Sequence, residues 1–160
     1  MLRFIKFLFS HGVDESQALD RQGAEVYLDE YGIDEPDDLA LAAVNRGNRA
    51  QFVQFLAERG MWLITRLDIG EYEGDVHLLE YEEGERNILP VFSSLAEAMA
   101  FVHTVDLSEM LALQYMHVSA EFLTHNDLSH HKIVMNPFAG ATTEISPPDI
   151  QNLGQFFHGL

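Results

Sequence analysis

The sequence predicts an α+β domain: a mixed, mainly antiparallel sheet of about five strands with helices packed on it, preceded by a helical N-terminal extension. Three observations lead there. Short apolar or alternating runs at Met61 to Leu67, Val76 to Tyr81, Ile88 to Phe92, Leu113 to Val118 and Lys132 to Asn136 have the length and composition of strands. Around them, apolar residues recur at helical spacing between caps and glycines. The 160 residues, 47% hydrophobic and 11% aromatic, suffice for one core that buries roughly two thirds of the unfolded surface without a staple.

The first segment, MLRFIKFLF, reads as a short helix docked on the core or on a second subunit, with Leu2, Phe4, Ile5, Phe7 and Leu8 as a candidate partner or homodimer arm. It is shorter than the about 20 residues that span a bilayer, and no A-x-A-type cleavage site follows it. Asp14 to Tyr31 reads as a helix with acids at its positive end, Leu19, Val26, Tyr27 and Tyr31 on a loose apolar face, and Gly32 as a stop. Gly23 weakens it. Asp34 to Asp38 opens the next helix, with Pro36 near the first turn and Leu39, Leu41, Ala42, Ala43 and Val44 as its apolar content. Residues 1–35 form the helical extension in this reading and residues 36–160 the α/β domain, as one globular unit.

Asn48 with Gln51 caps a helix from Arg49 to Arg59 that places Phe52, Val53, Phe55 and Leu56 on one side and ends at Gly60. Met61 to Leu67 is apolar enough to be buried on both faces, with Trp62 as a core residue. Glycines 70, 74 and 84 punctuate an acidic hairpin, so the first three core strands form an antiparallel meander. The third strand turns into a helix through NILPVFSSLAEAMAF, where Ser94 and Glu97 make an S-x-x-E capping box and Leu95, Ala98, Met99 and Val102 face the sheet. Pro90 has no N–H, so this strand lies at an edge or places Pro90 where no bond is required. Val105 to Ala112 reads as a short helical stretch, Ser119 to Asn126 as another, and Ala139 to Thr143 as a small-residue loop. The last helix is capped at Ser146, carries Pro147 and Pro148 in its first turn, and turns Ile150, Leu153, Phe156 and Phe157 inward.

Charge excludes more than it proves. With 26 acids against 9 bases the net charge is −17, which repels phosphate backbones and argues against nucleic acid. The same field draws in a basic protein partner. The absence of Cys removes disulfides, thiolate metal sites and cysteine nucleophiles, and fits a reducing cytoplasm. Ten acids between Asp14 and Asp38 face only Arg21, the pattern of a solvated helix surface and secondarily of a docking patch. The acids of Asp68 to Glu85 do not match the spacing of a Ca²⁺ loop and read as a charged hairpin edge.

The order NRAQFVQFLAERGMWLITRL, an acidic hairpin, NILPVFSSLAEAMAF, KIVMNPF and SPPDIQNL resembles the amino-terminal domain of the bacterial enhanced-serine-sensitivity protein, the SseB family. The resemblance covers roughly Leu39 to Leu160 and is carried by the Leu89 to Ser94 corner and by Asn136-Pro137 before a capped terminal helix. It implies an α/β fold in the bacterial cytoplasm and a family without an established reaction, so it transfers no catalytic residue. The chain departs from the family pattern in its added first 35 or so residues and in lacking the second domain of longer members.

No G-x-S-x-G, Walker loop, G-x-G-x-x-G or H-E-x-x-H is present, and no enzyme, cofactor or metal is predicted. The nearest metal candidates, His117, His125, His130 and His131 with Asp127, read as surface or locally bonded side chains. The candidate ligand or partner surface is the end of the sheet: Phe92, Ser93, Asn136, Pro137 and Phe138. Asn136 has a structural role there first, bonding the turn while Pro137 ends the pairing. The expected function is a non-enzymatic acidic protein-interaction or regulatory module. The alternatives are an immunity or chaperone-like protein that neutralises a basic toxin or secreted partner, and a small-ligand binder or enzyme at the sheet end.

Overall fold

A computed structural model describes residues 2–6, 18–31, 37–45, 47–67 and 76–159. In chain order the elements are β1 (Leu2–Lys6), α1 (Arg21–Tyr31), α2 (Asp38–Val44), α3 (Arg49–Arg59), β2 (Met61–Leu67), β3 (Val76–Glu83), β4 (Arg86–Val91), α4 (Leu95–Thr104), β5 (Leu113–Val118), α5 (Glu121–His125), β6 (His131–Met135), β7 (Thr143–Ile145) and α6 (Pro147–His158). The strands form one mixed sheet of order β5-β2-β3-β4-β6-β7, with β1 also on β3. Among the described residues, β4 and β6 are the one parallel pair and the other paired strands are antiparallel.

Alternation along the strands splits the core in two. Met61 and Leu63 of β2 join Leu39, Phe52, Leu56, Phe122 and Leu153 on one side of the sheet. Trp62 and Ile64 join Ala24, Leu95, Phe101 and Val102 on the other. Helices α2, α3, α5 and α6 therefore cover one face, and α1 and α4 the other. A strand buried on both faces reads as an unbroken apolar run, which Met61 to Ile64 shows; burial continues through Thr65, and Arg66 is partly exposed. Gly60 is required where α3 turns into it: φ is 69° and a Cβ there would stand 2.4 Å from the Val118 carbonyl oxygen.

Strand β3 is the branch point. Leu78 is paired with both Ile5 and Thr65, and Tyr81 with both Leu2 and Ile88. One edge of β3 thus belongs to β1, and β2 and β4 divide the other. These two meet directly where Trp62 and Phe92 exchange backbone hydrogen bonds of 2.8 and 2.9 Å. Pro90 stands two residues before Phe92 and points the same way, toward a stretch of β3 beyond the last β3–β4 pair at Ile88. A proline without an N–H is harmless there, although β4 lies between β3 and β6.

Several local expectations change once the tertiary contacts form. Leu2–Lys6 is a strand, where the sequence predicts a helix; its alternation sends Leu2 and Phe4 to one core and Ile5 to the other. Phe7 and Leu8 lie outside the described residues, as do residues 32–36 around the expected domain boundary and residues 68–75 of the acidic hairpin. Leu19 breaks out of the expected first helix and exchanges 2.7 Å backbone hydrogen bonds with Tyr115, covering part of the β5 edge. The inner face of α1 is Ala24 and Leu28; Val26 and Tyr31 are exposed, and Tyr27 sits edge-on against Trp62. Val105 to Ala112 is a series of turns, with Asp106 and Ala112 at positive φ. The expected loop at Thr143 holds β7, and with β1 the sheet has seven strands among the described residues where about five are predicted.

Candidate functional site

The parallel pair β4–β6 runs out at Val91 and Met135, which are register partners, so both chains leave the sheet side by side. Asn136 turns here with φ 52°, a left-handed conformation that an Asn tolerates well. Its N–H donates to the Val91 carbonyl at 2.9 Å and its Oδ1 accepts from the Ser93 N–H at 3.0 Å. Its Nδ2 donates to Ser93 Oγ at 2.8 Å, and that hydroxyl donates to Asp37 Oδ2 at 2.6 Å. Asp37 in turn caps α2, accepting from the Ala40 N–H at 3.0 Å. One line of bonds therefore ties the ends of β4 and β6 to the start of a helix. The Asn136 side chain is 1% exposed and its amide is bonded at both ends.

Ser94 caps α4 by accepting from the Glu97 N–H at 3.2 Å. The second arm of the expected box, from the Glu97 carboxylate back to the cap, is not formed. Burial pushes that carboxyl up, and the nearby Asp37 carboxylate adds to it.

Of the five sheet-end candidates, the fold gathers all and exposes one. Phe92 is fully buried, Asn136 and Pro137 are buried, and Ser93 is half-buried. Phe138 is 70% exposed, with a left-handed backbone at φ 65°. Its ring lies parallel to Phe101 at 5.9 Å and against Tyr81 at 5.7 Å. Tyr81 is itself pushed up to about 12 by burial and by the Glu83 carboxylate. Of the candidate arm residues, Leu2, Phe4 and Ile5 are half-buried in the chain's own sheet.

Two polar clusters escape sequence reading. Glu80, 2% exposed, accepts from Arg3 Nε and from His131 Nε2, the latter at 2.6 Å. Arg3 also donates to Glu82 at 2.8 Å and to Asn87 Oδ1 at 3.0 Å, so one stripe crosses β1, β3, β4 and β6. Burial would raise the Glu80 carboxyl, but the hydrogen bonds and charges of Arg3 and His131 outweigh it and hold it below the usual range. An ionised carboxylate only accepts, so His131 Nε2 carries the proton; His131 Nδ1 is buried without a partner among the described residues. An acid inside the apolar run Leu78 to Tyr81 is the signal that could have marked Glu80.

The second cluster joins two helix starts. Arg49 binds Asp149 through two nitrogens at 3.3 and 2.5 Å, and reaches Thr143 Oγ1 at 3.0 Å and the Glu144 carbonyl at 2.9 Å. Asp149 Oδ2 also accepts from the Ser146 N–H at 2.9 Å, which adds a capping-box arm to the Ser146 cap that the sequence predicts. Burial opposes its ionisation; Arg49 and Ser146 prevail and lower the carboxyl.

The histidines weighed for metal separate. His117 Nε2 binds the Arg59 carbonyl at 2.8 Å, His125 faces Glu121 and the His158 ring, and His131 faces Glu80. Among the described residues, no three potential ligands stand together as a metal would need. Also among them, no helix is long and apolar enough to cross a membrane.

The site is thus a hydrogen-bonded strand-end corner with an aromatic step, in an α+β domain with helices on both faces of a mixed sheet. Residues 38–152 match the model of the SseB protein N-terminal domain, well over half of the chain, and the protein belongs to that family. Comparisons with curated proteins and with solved structures found no match.

Proposed function

We propose that this domain is a non-enzymatic interaction module of the bacterial cytoplasm, and that a basic segment of a protein partner docks on Phe138 at the end of the β4–β6 pair. The observation that supports this reading is the conformation of Phe138. A bulky residue at φ 65° carries strain of about 1–3 kcal/mol, and a ring that is 70% exposed recovers little of it by burial. Asn or Gly would serve the turn better. The Phe101–Tyr81 platform keeps the ring in place, and, beside burial, the Glu83 carboxylate lies close enough to Tyr81 to raise its hydroxyl pKa. An aromatic face near a carboxylate suits an arginine or lysine side chain. The net charge of −17 would steer a basic partner over longer range.

Capture from lysate at about 50 mM and about 500 mM salt tests the reading. Recovery of a basic protein at low salt only, lost with Phe138→Asn in a variant whose melting temperature is not lowered, is the expected outcome. Equal recovery by the variant would overturn the docking point. A salt-independent partner, or none, would remove the electrostatic basis. If the protein captured is a toxin or secretion substrate, the module has a neutralising or chaperone-like role. Size measurements on the same samples test self-association.

A further inference from the structure

On the face of the sheet that α1 and α4 cover, a cleft of about 820 Å³ opens between the start of α1, the end of α4 and the turns before β5. Met99, Val102, Met110, Leu113 and Tyr115 wall it, and all five belong to the same core. Tyr115 is fixed in place, paired with Ile64 of β2 on one edge and bonded to the Leu19 backbone at 2.7 Å on the other.

The Tyr115 hydroxyl is the group the fold leaves over. The residue is 3% exposed, and its side chain hydrogen-bonds to no described residue. A buried tyrosine usually finds a partner for its O–H. Burial pushes this phenol up to about 12, with the Arg21 charge lowering it and the Glu25 charge raising it, so the hydroxyl lies near two side chains that themselves line the cleft. Three carboxylates in the lining, Asp20, Glu25 and Glu109, stand against one guanidinium. Asp20 caps the Gly23 N–H at 2.7 Å. Arg21 lies 3.6 Å from Glu25 and 3.9 Å from Glu109, both longer than a hydrogen bond. With His103 of the lining counted as neutral, Arg21 offsets one negative charge and the other two remain in excess.

We infer that this cleft binds a small aliphatic amine in its ammonium form, the ammonium donating to the Tyr115 hydroxyl and to Glu25, and the chain lying along Met99, Val102, Met110 and Leu113. The volume lies in the range of about 300–1,000 Å³ usual for small-ligand sites. A neutral phenol oxygen accepts from an ammonium N–H, and the carboxylate makes the neighbouring bond charge-assisted. Methionine side chains adapt their shape to an alkyl chain. The net charge of −17 concentrates cations around the molecule, so the overall field and the lining favour the same sign.

The methionines give the test a built-in control. Hexylamine, hexanol and hexanoate are titrated against the full chain, following the methionine methyl resonances by NMR. Hexylamine is expected to shift Met99 and Met110 at lower concentration than either analogue, and to leave Met61, Met116 and Met135 of the other core unmoved. Acetyl-lysine methylamide, which carries the same ammonium as a lysine of a protein chain, is expected to bind more weakly than the free amine. Tyr115→Phe removes the hydroxyl alone and is expected to weaken hexylamine about tenfold. The double variant Glu25→Gln, Glu109→Gln changes side chains that are 56% and 90% exposed, and should weaken hexylamine by about tenfold or more while hexanol binds as before. Unchanged Met61, Met116 and Met135 resonances check that each variant folds. Equal binding of hexylamine and hexanol, tighter binding of hexanoate or of the lysine derivative, shifts spread over both cores, or retained hexylamine affinity in either variant would each overturn the assignment.

Discussion

The two ends of β6 solve opposite problems. At its C-terminal end the polar groups of Asp37, Ser93 and Asn136 satisfy one another, and an aromatic ring is left in solvent. At its N-terminal end the buried charge of Glu80 is held by Arg3 and by His131 Nε2, and what is left over, the Nδ1 atom of His131, is buried without a partner among the described residues. The difference teaches where to look for function on a scaffold without a recognisable catalytic motif. A completed bond network holds the backbone still; a group left over where a ligand can reach it, as the Phe138 ring and the Tyr115 hydroxyl are, is the one free to meet something else.

The largest expected effect comes from breaking the completed end. Asn136→Ala removes two side-chain bonds at a buried site and places Ala at φ 52°, and should lower stability by about 3 kcal/mol in urea unfolding. Partner capture should survive in the folded fraction; if stability is unchanged, the corner does not depend on this side chain.

Glu80→Ala comes next and probes the anchor behind His131. Arg3 is partly exposed and can be resolvated, so the loss should be about 2 kcal/mol, below that of a fully buried pair. The sign with pH follows from the lowered folded-state pKa of Glu80. Its contribution is present above the ordinary carboxylate range and is lost as pH falls through the folded value, with Asp149 acting in the same direction. Acid titration of the melting temperature should therefore be shallower in Glu80→Ala than in the parent chain.

Phe138→Asn exchanges a strained aromatic for a residue at ease in the left-handed region, and should leave stability undiminished or raise it by about 1 kcal/mol. A large loss would make the ring a packing element and erase the contrast between the two ends. The smallest effect is Glu97→Gln. The carboxyl is raised in the fold, so its ionisation opposes folding as pH rises through that value; the variant should melt slightly higher near neutral pH and match the parent in acid.

Legibility followed the range of the interactions. The Ser94, Asn48 and Ser146 caps, the buried β2 run and the β2–β3–β4 meander could be read because each depends on residues close in sequence. The sheet-end candidates were found together for the same reason: Phe92–Ser93 and Asn136–Phe138 each mark a strand terminus. Which of them is exposed could not be read, since the burial of Asn136 depends on Ser93 and Asp37 far away in the chain.

The sequence by itself determined the class of fold, the family, the caps and the excess of negative charge, all properties of local order or of composition. Tertiary structure alone decided that Leu2–Lys6 would be a strand, because the free edge of β3 and the buried Glu80 offered its backbone and Arg3 partners that no local pattern encodes. It likewise decided that Pro90 could lie inside the sheet, since the handover of the β3 edge from β2 to β4 opens a place where no N–H is needed. It brought Glu25 and Tyr115 to one cleft from distant parts of the chain. Pairing, burial and the meeting of polar groups are decided between elements, and a single segment does not contain them.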